Sequence, residues 1–93
     1  MPTLSPDAAQ SRLAQLPGWQ IESGELVRTF EFPDFVAALA FVNCIGELAE
    51  QAGHHPDIDI RYNRVRLSLV THSAGGLTEK DFDLAAQAQN LAP

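Results

Sequence analysis

The chain has 93 residues, 45% of them hydrophobic, which suits one modest core spanning residues 1–93 and excludes a disordered tail. Six Lys and Arg against twelve Asp and Glu leave a net charge of −6, the wrong sign for a nucleic-acid footprint. Cys44 is the sole cysteine, so an intrachain disulfide and a cysteine metal cluster are both excluded.

Met1 to Gln10 has neither an apolar stretch nor a positive flank, and no apolar run approaches the roughly 20 residues of a membrane span. The expectation is a cytoplasmic protein with no membrane partner. Ser5-Pro6-Asp7 opens a first helix as N-cap, first helical residue and dipole partner, with Leu13 and Leu16 as its apolar contacts. Pro17-Gly18 should end it. Trp19–Glu22 and Glu25–Phe32 read as a hairpin about Ser23-Gly24, with Ile21 opposite Leu26 and Trp19 opposite Arg28. Leu26, Phe30 and Phe32 then share one face and Val27, Thr29 and Glu31 the other.

Asp34 can cap a long helix to about Ala52, whose stripe of Ala38, Phe41, Ile45, Leu48 and Ala52 is widened by Phe35, Leu39 and Val42. Cys44 beside that stripe reads as a small buried hydrophobe, and Gly53 suits the left-handed residue after a helix end. A second hairpin covers Asp57 to Thr71. A last helix starts at Thr78, with Leu77 and Phe82 at the spacing of a hydrophobic staple and Leu84, Ala88 and Leu91 continuing its face. The order α-β-β-α-β-β-α predicts an α+β fold, a four-stranded antiparallel sheet with helices packed on one face. Arg61, Arg64 and Arg66 read as a solvated, edge-protecting cluster that could meet one small anionic group.

The chemistry points to His54, His55 and His72. A turn at Asn63-Arg64 sets Tyr62 opposite Val65, Ile60 opposite Leu67 and Ile58 opposite Leu69; carried outward, it sets His55 opposite His72. Pro56 cannot donate to a ladder, so the hairpin mouth should open there. Glu50 sits in the last turn of its helix, where the dipole disfavours a carboxylate, and it is four residues before His54. Local stability does not explain it; orienting an imidazole does. Asp81 has a structural reading as the third helical residue of a Thr78 capping box. Trp19 and Tyr62 read chiefly as core or wall residues. Adjacent histidines on an extended chain point to opposite sides, and neither HExxH nor His-x-His is present, so a metal is not expected. Proton transfer by imidazole remains.

Glu50, His54-His55-Pro56, Tyr62, His72 and Asp81, at these spacings, resemble the signature of the pterin-4a-carbinolamine dehydratases. Pro17-Gly18-Trp19, Phe30-Glu31-Phe32, Thr71-His72 and Gly75-Gly76-Leu77-Thr78 are similar to the same family. The resemblance implies dehydration of 4a-hydroxytetrahydropterin to quinonoid dihydropterin, the step that recycles the pterin after aromatic amino acid hydroxylation. It implies His54, His55 and His72 as catalytic and Glu50, Pro56, Trp19, Ile58, Thr71, Ser73 and Asp81 as supporting or substrate-binding positions. It further implies no metal or dissociable cofactor, a reduced pterin as the small-molecule partner, and a homodimer or homotetramer. Ile58 and Ser73 depart from animal members, which carry an aromatic and an acidic residue there. The competing expectations are a non-catalytic dimeric scaffold or assembly factor of the same fold, and a dehydratase-like enzyme for a molybdopterin-related pterin.

Overall fold

The structure is a computed structural model that describes residues 2–92; Met1 and Pro93 lie outside the described residues. Ser5 accepts a hydrogen bond from the Ala8 N–H and opens α1 (Pro6–Leu13). This helix stops four residues short of Pro17, because the chain needs Leu16 turned inward onto the core. Ser23 and Gly24, at φ 52° and 80°, form the tight turn between β1 (Gln20–Glu22) and β2 (Glu25–Glu31), and Ile21 faces Leu26 as expected. Trp19 itself precedes the strand.

Asp34 accepts from the Ala37 N–H at the start of α2 (Phe35–Ala52). After β3 (Asp57–Arg61) and β4 (Arg64–Leu69), a 3-10 turn (His72–Ala74) leads to α3 (Glu79–Leu91). Thr78 and Asp81 complete the capping box of α3, and the stapling pair Leu77 and Phe82 both enter the core.

The sheet is antiparallel in the order β1-β2-β4-β3. Leu26, Phe30, Val65, Leu67 and Leu69 project from one face onto Ala9 of α1, the Ala38, Phe41, Ile45 and Ala49 stripe of α2, and Phe82, Leu84, Ala85 and Ala88 of α3. All three helices therefore cover one face, giving the α+β layer expected from the element order. Full burial of Phe82 or Ile45 contributes about 2–3 kcal/mol each.

Several sequence expectations are corrected by the packing. The second hairpin turns at Tyr62-Asn63, with Arg61 opposite Arg64, one residue earlier than the Asn63-Arg64 turn. Ile60 thus faces Val65 and Ile58 faces Leu67. The α2 stripe ends on Ala49, and Leu48 is only half-buried while Ala52 is exposed, because a straight helix over a twisted sheet touches it along a narrow line. Cys44 lies outside that line and is exposed. Val27, on the uncovered sheet face, is buried all the same, between Gln20 and Ser68.

At 18 residues and mean hydropathy 1.3, α2 is, contrary to the sequence reading, long and apolar enough by those measures to cross a bilayer. In this fold its stripe instead packs on the sheet. On the open sheet face Arg64 pairs with Glu31, Arg66 with Glu22 and Arg61 with Asp59; these exposed pairs contribute little.

Candidate active site

The end of α2 determines how the first histidines are presented. Gly53 adopts φ 62°, its N–H bonds the Glu50 carbonyl, and the His54 N–H bonds the Ala49 carbonyl. This is the Schellman arrangement, and it turns the chain sharply so that His54 falls back against the fold. Nothing lies within 4 Å of a Cβ placed on Gly53, so its requirement is conformational alone. Gly53→Ala should lower stability by about 1 kcal/mol in urea unfolding, and Gly53→Asn by less.

The His54 ring is buried, and its Nε2 lies 2.5 Å from Oδ1 of Asp81, which is 0% exposed. The other carboxylate oxygen, Oδ2, accepts from the Thr71 hydroxyl and from the Thr78 backbone N–H, both at 2.9 Å. The Thr71 and Thr78 hydroxyl oxygens are 2.7 Å apart. A carboxylate taken out of water needs such a complement of donors. Asp81 therefore does more than cap α3: it joins the end of α2, the exit of β4 and the start of α3.

His55 points the other way, as neighbours on an extended chain do. Its Nε2 bonds Oε2 of Glu50, and both side chains are exposed. Glu50 thus sits against the dipole of its own helix but beside an imidazole. Pro56, half-buried, leads into β3. Thr71 is buried, whereas His72 and Ser73, next in the chain, are exposed on the 3-10 turn. Among the described residues the His72 ring has no protein hydrogen bond.

Direct opposition of His55 and His72 is not realised. The register places the last β3–β4 pair at Asp57 and Ser68, and the chain leaves the strand before His72. Both segments still emerge at one end of the sheet, and the Thr71–Asp81–His54 chain ties them there.

Trp19 stands apart from this cluster. It is buried edge-on to Phe30 and donates its indole N–H to Gln89 at 3.2 Å. Gln89 is eight residues along α3 from Asp81, about 12 Å of helix rise. Arg28 shares that corner, its guanidinium 4.3 Å from the Phe30 ring centroid. Ile58 is part-exposed on the core face of the edge strand.

Among the described residues, surface concavities of about 220–440 Å³ are lined by residues other than the histidines. One of about 380 Å³ includes Gly75, Gly76 and Leu77 beyond the His72 turn, and one of about 220 Å³ includes Ala52, two residues before His54. Among the described residues no group of three or more His, Cys, Asp or Glu side chains is arranged to hold a metal.

The sequence reading assigned Thr78 only a capping role and missed its hydroxyl contact with Thr71. The Thr78–Asp81 spacing was visible, but the seven-residue return to Thr71 follows from the tertiary fold.

A profile of the family described as Pterin 4 alpha carbinolamine dehydratase matches residues 2–91. A protein of Acidobacterium capsulatum, provisionally named a pterin-4-alpha-carbinolamine dehydratase, is 64% identical over 91 residues, covering 98% of this chain and 99% of its own. One from Chloroflexus aurantiacus with the same provisional name is also 64% identical, covering 98% of both chains. Among solved structures, a transcriptional coactivator/pterin dehydratase from Brucella melitensis superposes with a TM-score of 0.95 at 34% identity, covering 98% of this chain and 99% of that one. A pterin dehydratase-like protein identified as a RuBisCO assembly factor in the alpha-carboxysome gives 0.65 at 27% identity, covering 80% and 86%. With a match running across nearly all of its length, this chain belongs to the pterin-4a-carbinolamine dehydratase family.

Proposed function

We propose that the protein dehydrates 4a-hydroxytetrahydropterin to quinonoid dihydropterin, with imidazoles as general acid and base and with no metal or dissociable cofactor. One observation carries this reading above the others: a buried His54–Asp81 pair lies next in the chain to an exposed His55–Glu50 pair, at the sheet end where His72 also emerges. Each carboxylate can fix the orientation of one ring through its hydrogen bond to Nε2.

In the proposed reaction a protonated imidazole donates its hydrogen to the 4a oxygen, the C4a–O bond breaks, and water leaves. The lone pair of the adjacent ring nitrogen closes a C=N bond to C4a. That nitrogen's hydrogen passes to a neutral imidazole, or to a water held by one. Exposed His55 and His72 are assigned to the reacting centre, and buried His54 to holding the pterin ring. Glu50 orients His55 and Asp81 orients His54, while Pro56, Ile58, Thr71 and Ser73 border the site. Trp19, held in the core by Phe30 and Gln89, is given no part in the reaction. The test is stopped-flow decay of the carbinolamine with and without the protein. Unchanged decay would remove the dehydratase reading.

A second reading, an assembly factor without turnover, is favoured by the likeness to the RuBisCO assembly factor. It requires no rate enhancement on any pterin, so the same assay separates the two. Comparing 4a-hydroxytetrahydrobiopterin with other carbinolamines then identifies the preferred substrate.

Self-association belongs to the proposal too. Phe35, Val36 and Leu39 are exposed at 44%, 75% and 40% on α2, beside a groove lined by Pro33, Ala40 and Cys44. A second copy covering that strip would bury it from water. Light scattering should report at least two chains per particle, and Val36→Asp should lower that number. A monomer at all concentrations would refute it.

A further inference from the structure

We propose that the hydroxyls of Thr71 and Thr78 are positioning groups that determine which ring nitrogen of His54 carries its hydrogen. The inference rests on the reading that His54 holds the pterin ring. It follows from counting hydrogens along the buried chain of contacts. The Lys80 N–H, at 3.3 Å, occupies a lone pair of the Thr78 hydroxyl oxygen. Thr71 has one hydroxyl hydrogen, and it goes to Asp81 Oδ2. The Thr71–Thr78 contact at 2.7 Å must then use the Thr78 hydrogen, with Thr71 accepting.

Every donor thus points the same way, from the first turn of α3 through two hydroxyls to one carboxylate oxygen. The Thr78 backbone N–H meets that same oxygen. Oδ2 is saturated and the carboxylate cannot rotate without breaking two bonds, so Oδ1 stays aimed at His54 Nε2. A carboxylate oxygen only accepts, so the hydrogen of the neutral ring belongs on Nε2. Nδ1 is then the one nitrogen left to accept from an N–H of the pterin. The Schellman turn at Gly53 fixes the ring's backbone, and the threonines fix its chemistry from the opposite side. Neither threonine touches substrate in this scheme.

The test is the tautomer of His54, read from long-range ¹H–¹⁵N correlations of the imidazole at a pH where the ring is neutral. The native protein should show the Nε2–H form alone; a native ring protonated on Nδ1 overturns the proposal without any variant. Thr71→Val keeps shape but removes one donor to Asp81. It should admit a population of the Nδ1–H form and lower kcat about tenfold, the rate equivalent of one lost hydrogen bond to a charged group, with the folded fraction unchanged. Thr71→Ser should restore both readouts.

A pure Nε2–H ring in folded Thr71→Val, or a rate that falls without serine rescue, leaves Thr71 a purely structural role and overturns the proposal. His54→Ala turning over at the native rate would overturn the His54 assignment instead. The tautomer measurement distinguishes that outcome from failure of the threonine relay. Should Thr71→Val not fold, the native tautomer still decides.

Discussion

His55→Ala and His72→Ala should each slow carbinolamine dehydration by about 10²- to 10⁴-fold, the usual contribution of a positioned proton donor or acceptor. Both should leave unfolding free energy within about 0.5 kcal/mol of the parent, as expected for exposed positions. Neither ring is packed into the core. The His55 bond to Glu50 is exposed to water and screened, so losing it removes little. Rate and stability therefore separate cleanly at these two sites. One imidazole must act protonated and another neutral, so the native rate should fall on both the acid and the alkaline side. A double variant retaining full turnover, with a native melting curve, would exclude imidazole catalysis by this pair.

The largest stability effect is expected at Asp81. Removing its carboxylate in Asp81→Ala leaves three buried donors without an acceptor: the His54 ring, the Thr71 hydroxyl and the Thr78 N–H. It also ends the capping box of α3. The combined cost is on the order of 3–5 kcal/mol. A chain of this length has a total stability of only about 5–10 kcal/mol, so much of its resistance to urea should vanish. Asp81→Asn should cost much less, because the amide oxygen can still accept from Thr71 and Thr78. Its NH₂ would then face His54 and require the opposite tautomer, so activity should fall further than stability does. Equal urea midpoints for Asp81→Ala and the parent would show that the network contributes nothing to folding.

Much of this molecule is encoded locally. Ser5, Asp34 and Thr78 are the residues that cap the three helices, and Gly53 ends α2 in the conformation its lack of a Cβ permits. Ser23-Gly24 determines the first hairpin's register, since two residues at positive φ leave one way to pair the flanking strands. The second turn offered no such glycine. Tyr62, at φ 52°, takes the left-handed position instead, which shifted the register and broke the simple opposition of His55 and His72. Cys44 and Ala52 show the same boundary in α2: a stripe is visible in sequence, but its width depends on the curvature of what it meets.

Spacing alone was enough to bring the histidines, Glu50 and Asp81 to notice and to place them at the ends of elements. It could not divide them into a buried pair and an exposed pair, because burial depends on where α3 lands against the end of α2. Nor could it show Thr71 reaching Asp81, which requires the chain to leave β4 and return after the 3-10 turn. Caps, turns and apolar periods act over a few residues and can be read from the chain. The partner of a buried carboxylate is decided only when distant elements close around it and shut out the water that would otherwise solvate it.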